Sequence, residues 1–155
     1  MTLLTDADIG RLIRSRHIII RPFDPRRIMP SSYDLLVWHA AIVDGKMVQF
    51  DDFLDIKPRE FALLSTKEHI ELPLDIAGRL FLRSYLSRMG IFPESQGRVE
   101  AGYKGTVTLP IVNMNKNSVR ISVDEPIVSI EFERLSKSVM RGYSGKYQGS
   151  EGPVQ

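Results

Sequence analysis

Three short stretches hold the side chains with the most chemistry. In "LRSYLSRMG" (Leu82 to Gly90), Arg83 and Arg88 stand five apart, with Ser84 directly after the first. An arginine fork grips phosphate oxygens in pairs, and backbone N–H groups at the positive end of a helix attract the same anion. In "RVEAGYKGTVTLPIVN" (Arg98 to Asn113), the carboxylate of Glu100 precedes a turn at Ala101-Gly102-Tyr103. The strand that follows contains Pro110, which cannot donate a ladder hydrogen bond. The final stretch, "MRGYSGKYQGSEGPVQ", offers Arg141, Tyr143, Lys146, Tyr147 and Gln148, all able to bind phosphate or stack on a base.

Composition removes several classes. Without cysteine there is no disulfide framework, thiolate nucleophile or thiolate zinc site. His69-Ile70-Glu71 has the form of the His-x-Glu element of zinc nucleobase deaminases, but the cysteine pair that such a site requires is missing. No Walker loop, G-x-G-x-x-G or G-x-S-x-G is present. The net charge of +2, from 21 basic and 19 acidic residues, is too small for a nucleic-acid footprint. No apolar run approaches the ~20 residues of a membrane span, and no signal-peptide core is evident. A cytoplasmic protein with neither nucleic-acid nor membrane partners is expected.

These groups must be positioned by mostly β elements. Thr5 is suited to cap a helix with Asp6 and Asp8 in its first turn and an apolar stripe at Ile9, Leu12 and Ile13. Strand-like residues follow at His17–Ile20, and prolines 22, 25 and 30 then preclude helix. "SYDLLVWHAAIV" predicts a strand with a hairpin turn signal after it at Asp44-Lys46, and "FALLSTKEHIEL", "AGRLFLRS", "SVRISV" and "EPIVSIEFERL" predict more. "SYLSRMG" predicts two helical turns closed by Gly90, and Arg98 to Asn113 reads as a hairpin. Short strands at this spacing indicate a sandwich or closed barrel. The glycine- and proline-rich tail has no apolar period of its own, so residues 1–138 are read as one domain and 139–155 as a flexible C-terminal lid.

The order and spacing of "SSYDL", "LRSYLSRMG", "RVEAGYKG" and "GKYQGSEGP" resemble the dCTP deaminase and dUTPase superfamily, from about residue 3 to residue 152. The resemblance implies a distorted β-barrel or jelly roll of the dUTPase-like type, with a short N-terminal helix and a short helix near 83–90. It also implies a homotrimer with active sites between neighbouring subunits. Arg83, Ser84 and Arg88 would bind the triphosphate, and Lys146 and Tyr147 would belong to a lid over it. Main-chain groups around Gly102 would read the pyrimidine edge, with Tyr103 against the deoxyribose. Asp34 would help organise the site.

Some positions depart from the family pattern. Glu100 stands where the family has Asp, Tyr85 replaces a second Ser, and Ser150 replaces a frequent Gln. Pro110 occupies the place of the Glu that shuttles protons in dCTP deaminases, so C4 chemistry would need another carboxylate such as Glu94 or Glu131. The expectation is therefore an enzyme on a Mg²⁺–deoxypyrimidine triphosphate, with dUTP hydrolysis to dUMP and pyrophosphate favoured. Glu100 would activate water, while Arg83, Ser84, Arg88 and Lys146 hold phosphate, and Gly102, Tyr103, Tyr143 and Tyr147 complete the pocket. The alternatives are a dCTP deaminase with a displaced acid–base residue and a catalytically degenerate nucleotide-binding trimer.

Overall fold

Apolar alternation along short segments becomes a curled sheet in a computed structural model, which describes residues 2–93 and 97–155. The chain opens with β1 (Thr2–Leu3), α1 (Asp6–Arg14), β2 (Ile19–Arg21), β3 (Ile28–Met29), β4 (Ser32–Val43) and β5 (Lys46–Gln49). It continues through β6 (Phe53–Ile56), β7 (Phe61–Thr66), β8 (His69–Glu71), β9 (Ile76–Leu82), α2 (Ser84–Arg88) and β10 (Ile91–Pro93). β11 (Arg98–Val99), β12 (Lys104–Gly105), β13 (Thr108–Asn113), β14 (Val119–Ser122) and β15 (Pro126–Arg134) complete it. The fold is mostly β, as expected.

Local signals set the small elements. Thr5 caps α1 in a capping box with Asp8, and Ile9 and Leu12 are buried beneath it. Asp44 and Gly45 both have positive φ, so β4 turns into β5 through two residues. α2 stops where Gly90 takes φ +89°, which glycine adopts without strain.

The main sheet runs β10-β13-β7-β4-β15-β9-β11, with β1, β3 and β5 on its flanks, beside smaller β12-β8-β2 and β14-β6 sheets. Tyr33, Leu35, Leu64, Ile111, Ile130 and Phe132 fill the interior. A bulge between Pro126 and Val128 breaks the expected alternation of β15, so Ile127 and Val128 are both buried.

The segment from Arg98 to Asn113 is not the hairpin that the sequence suggests. β11 pairs with β9, β12 with β8, and β13 with β7 and β10. Gly105, at φ +144°, redirects the chain after two residues of β12, so the segment diverges to four partner strands. Pro110 lies within β13, an interior strand opposite Leu63. The Thr66 N–H donates to Val107 O and the Asn113 N–H to Glu60 O, so odd-numbered residues of β13 bond towards β7. The Pro110 nitrogen therefore faces the β10 side, one position past the Pro93–Ile111 pair. Its missing N–H removes no bond to β7.

Glu68 ties the proline-rich loop to the barrel. Its carboxylate is fully buried, accepts the Leu36 N–H at 3.0 Å and pairs with Arg27 at 2.6 Å. Burial is the largest influence and lifts its pKa to about 6, against the partial relief given by its hydrogen bonds and Arg27. A folded-state pKa above the unfolded value means that the native chain holds this proton longer. Glu68 therefore contributes stability at low pH that is lost as pH rises from about 4.5 through about 6. Denaturant midpoints across that window should fall by less in Glu68→Gln than in the parent; an unchanged slope would contradict this.

Candidate functional site

Beside the Gly102 turn lies a cavity of about 390 Å³. Glu100, Tyr103, Pro110, Tyr143 and Tyr147 all line it, over an apolar floor that includes Leu63, Leu80 and Val99. Tyr103 is buried, with its hydroxyl donating to Thr106 O, and burial pushes its phenol up. The Tyr143 ring is tilted against it, centroids 5.6 Å apart. Glu100 is half-exposed and paired with Arg98 at 3.1 Å. It is the one acidic side chain among the described lining residues. Glu131 does not line this cavity and sits opposite Arg79 across β9 and β15. Glu94 lies outside the described residues.

Gly102 is where two stretches of main chain meet. At φ +84°, a Cβ there would lie 2.6 Å from the Gly142 Cα. The tail from Gly142 onward runs along its own chain: Tyr143 N donates to Ala101 O, Gly149 N to Lys104 O, and Thr106 N to Ser150 O. Gly152 and Pro153 are buried at its end, and the Val154 N–H donates to the Thr108 hydroxyl. Gly102 itself lines the neighbouring groove rather than the cavity, while Lys146 is exposed, its ammonium 5.4 Å from the Tyr147 ring.

The main-chain groups of the turn are engaged within the chain. Gly102 N donates to the Leu72 and Pro73 carbonyls, Tyr103 N to Glu100 O, and Leu72 N to Tyr103 O. Gly102 O and Lys104 N are held by the Gln148 side chain. Reading a pyrimidine edge with these groups, as the resemblance implies, would require an exchange of partners. Gln148, expected to contact phosphate or base, spends its carboxamide on the turn instead.

Arg83, Ser84 and Arg88 do not reach this cavity. Arg83 caps α2 with extended backbone, and its Nη1 donates to Asp34 Oδ1 at 2.9 Å and Ser129 Oγ at 3.1 Å. Asp34 and Ser129 are direct cross-strand partners of β4 and β15 and bond to each other at 2.7 Å. Asp34 is buried, so this socket fixes one side of the guanidinium, while the Arg83 side chain stays partly exposed. No sequence signal marks Ser129; it becomes visible only through strand register. Ser84 and Arg88 are exposed. The Tyr85 hydroxyl is buried without a hydrogen-bond partner among the described residues, and burial, then Glu125, pushes it up to about 12.

The distance between the two groups follows from register. Val99 pairs with Gly78 of β9, so Glu100 comes level with Ala77, whereas Arg83 lies six residues further along the strand direction. At ~3.3 Å per residue the separation is roughly 20 Å. Within one chain Glu100 and Arg83 thus stand at opposite ends of β9, with Leu80 between them lining the cavity.

Solved structures share this architecture. The 2'-deoxycytidine 5'-triphosphate deaminase of Agrobacterium tumefaciens superposes with a TM-score of 0.72 at 18% identity, over 86% of this chain and 48% of that one. The present chain thus spans about half of that protein's length. The EIAV dUTPase gives a TM-score of 0.58 at 13% identity, covering 83% of this chain and 96% of that one. The barrel is therefore of the dUTPase-like class. The dCTP deaminase-like family model matches residues 3–135, and the chain belongs to that family. Among its relatives, the "dCTP deaminase, dUMP-forming" of Aquifex aeolicus is 32% identical over 98% of this chain and 92% of its own length. The dCTP deaminase of Pyrococcus horikoshii is 39% identical over 87% of each.

Replacing Gly102 tests the close backbone approach. Gly102→Ala should cost about 1–3 kcal/mol, since a side chain would clash with Gly142 and the positive φ would be strained. Chemical denaturation would reveal it, together with faster amide exchange at Tyr143. Unchanged values in both would contradict the contact.

Proposed function

We propose that this chain deaminates dCTP, with Glu100 in the acid–base role that Pro110 cannot fill. The supporting observation is that Glu100 is the one acidic side chain among the described residues of a cavity that also holds Tyr103, Tyr143 and Pro110. The dCTP deaminase names of its 32–39% identical relatives support dCTP as substrate. In this reading the Glu100 carboxylate accepts a proton from water as its oxygen bonds to C4 of cytosine. That proton passes to the exocyclic nitrogen, the second water proton moves from the oxygen to N3, the C4–N4 bond breaks, and ammonia leaves a uracil ring. Tyr103 packs on the deoxyribose, and Tyr143 and Tyr147 close the cavity.

The triphosphate is bound across subunits. The separation of roughly 20 Å between Glu100 and Arg83 along β9 supports this reading. A homotrimer in which a neighbour supplies Arg83, Ser84 and Arg88 removes that gap. Lys146 adds charge from the tail. Mg²⁺ arrives on the phosphate oxygens as part of the substrate.

Pro110 supports a second reading, hydrolysis of dUTP to dUMP and pyrophosphate. Attack of water on the α-phosphorus needs Glu100 and the arginines but no acid–base group at residue 110.

Purified protein incubated with Mg²⁺ and either dCTP or dUTP separates the readings. Ammonia release from dCTP is expected, falling about 10²-fold or more in Glu100→Gln and rising in Pro110→Glu. Pyrophosphate from dUTP with dCTP left intact would establish the second reading. Tight calorimetric binding with no product from either nucleotide would instead identify a degenerate binder. Arg88→Ala should weaken nucleotide affinity about tenfold or more through the lost charge-assisted contacts.

A further inference from the structure

We infer that Gln148 is a positioning residue, a carboxamide clasp that holds the C-terminal tail on the Gly102 turn of its own chain and so sets the tyrosines over the cavity. The observation is a single planar group bonded to main chain three times. Gln148 Nε2 donates to Gly102 O at 2.9 Å and to Tyr143 O at 3.0 Å, and Oε1 accepts the Lys104 N–H at 2.8 Å. The partners define the orientation, because a flipped amide would set NH₂ against N–H and oxygen against two carbonyls.

The clasp sits behind the cavity. Gly102 and Lys104 line the adjacent groove, whereas the cavity is closed by Tyr143, which borders both, and by Tyr147, the residue just before Gln148. The Tyr147 N–H lies 3.3 Å from the Tyr143 hydroxyl, and Tyr143 leans on Tyr103. Fixing Gln148 to the turn therefore fixes both ends of the aromatic roof without placing Gln148 in the space a ligand would occupy. Only a carboxamide combines the donors and the acceptor on one rigid group. Glutamate has the same length but would face the two carbonyls with a carboxylate oxygen.

The consequence for nucleotide depends on the reading given above; the clasp itself does not. It closes the roof in cis, so the tail is pre-ordered over the cavity and nucleotide binding is spared part of the cost of ordering it.

Trp38, the single tryptophan, reports on the tail: its Nε1 lies 3.8 Å from where a Gly152 Cβ would be. In the nucleotide-free full-length protein, Gln148→Ala and Gln148→Glu should both shift Trp38 emission towards that of exposed indole. Both should also speed exchange at the Lys104 amide roughly tenfold or more. Wild-type emission and exchange in Gln148→Glu would show that only side-chain size matters and would overturn the clasp. With dCTP or dUTP added, both variants should bind about tenfold more weakly, with circular dichroism unchanged. Tighter binding would overturn the assignment by making Gln148 an occluding group. If the wild type binds neither nucleotide, the proposed function fails while the first arm still decides the clasp.

Discussion

Two lengths of backbone can meet closely only where no side chain stands between them, and in this protein they meet at Gly102 and Gly142. The positive φ of Gly102 exposes Gly102 O and Lys104 N to the Gln148 carboxamide, and lets the tail continue in hydrogen-bonded contact through Gly149 and Ser150. The roof of the cavity is a consequence of that contact. Tyr143 and Tyr147 belong to a segment with no core of its own, and they become part of a site because the turn offers main-chain groups for the tail to bind.

The other organising feature is β9. A seven-residue strand separates the Gly102 turn from the arginine socket, and its rigidity keeps a carboxylate and a guanidinium apart. At the far end, Asp34 and Ser129 hold Arg83 across two strands. Removing either would leave a buried polar group short of a partner, the costly kind of loss. A buried carboxylate also anchors the proline-rich loop, through Glu68 and Arg27. Charge inside this barrel is thus used to fix loops and an arginine, while the cavity presents mostly tyrosine and aliphatic surface with one half-exposed carboxylate.

Pro110 illustrates how an interior strand can hold a proline beside a cavity without harm to the scaffold. Its ring lines the cavity and its nitrogen faces away from β7, so the β7 ladder is undisturbed.

Local chemistry was legible in the sequence: the Thr5 capping box, the Asp44-Gly45 hairpin, the Gly90 stop of α2, and the barrel of short strands. Each depends on side chains within a few residues, or on alternation that says which face is buried. The resemblance further supplied Glu100, Tyr103 and Tyr147, and the residue types of the tail supplied Tyr143; the fold does collect all four around one cavity. What the sequence could not decide was which strand sits beside which. Alternation fixes a face but names no neighbour, so the supposed hairpin from Arg98 to Asn113 opens onto four different strands. For the same reason, the distance from Glu100 to Arg83, the Ser129 contact and the path of the tail were settled only by tertiary hydrogen bonding between residues far apart in the chain.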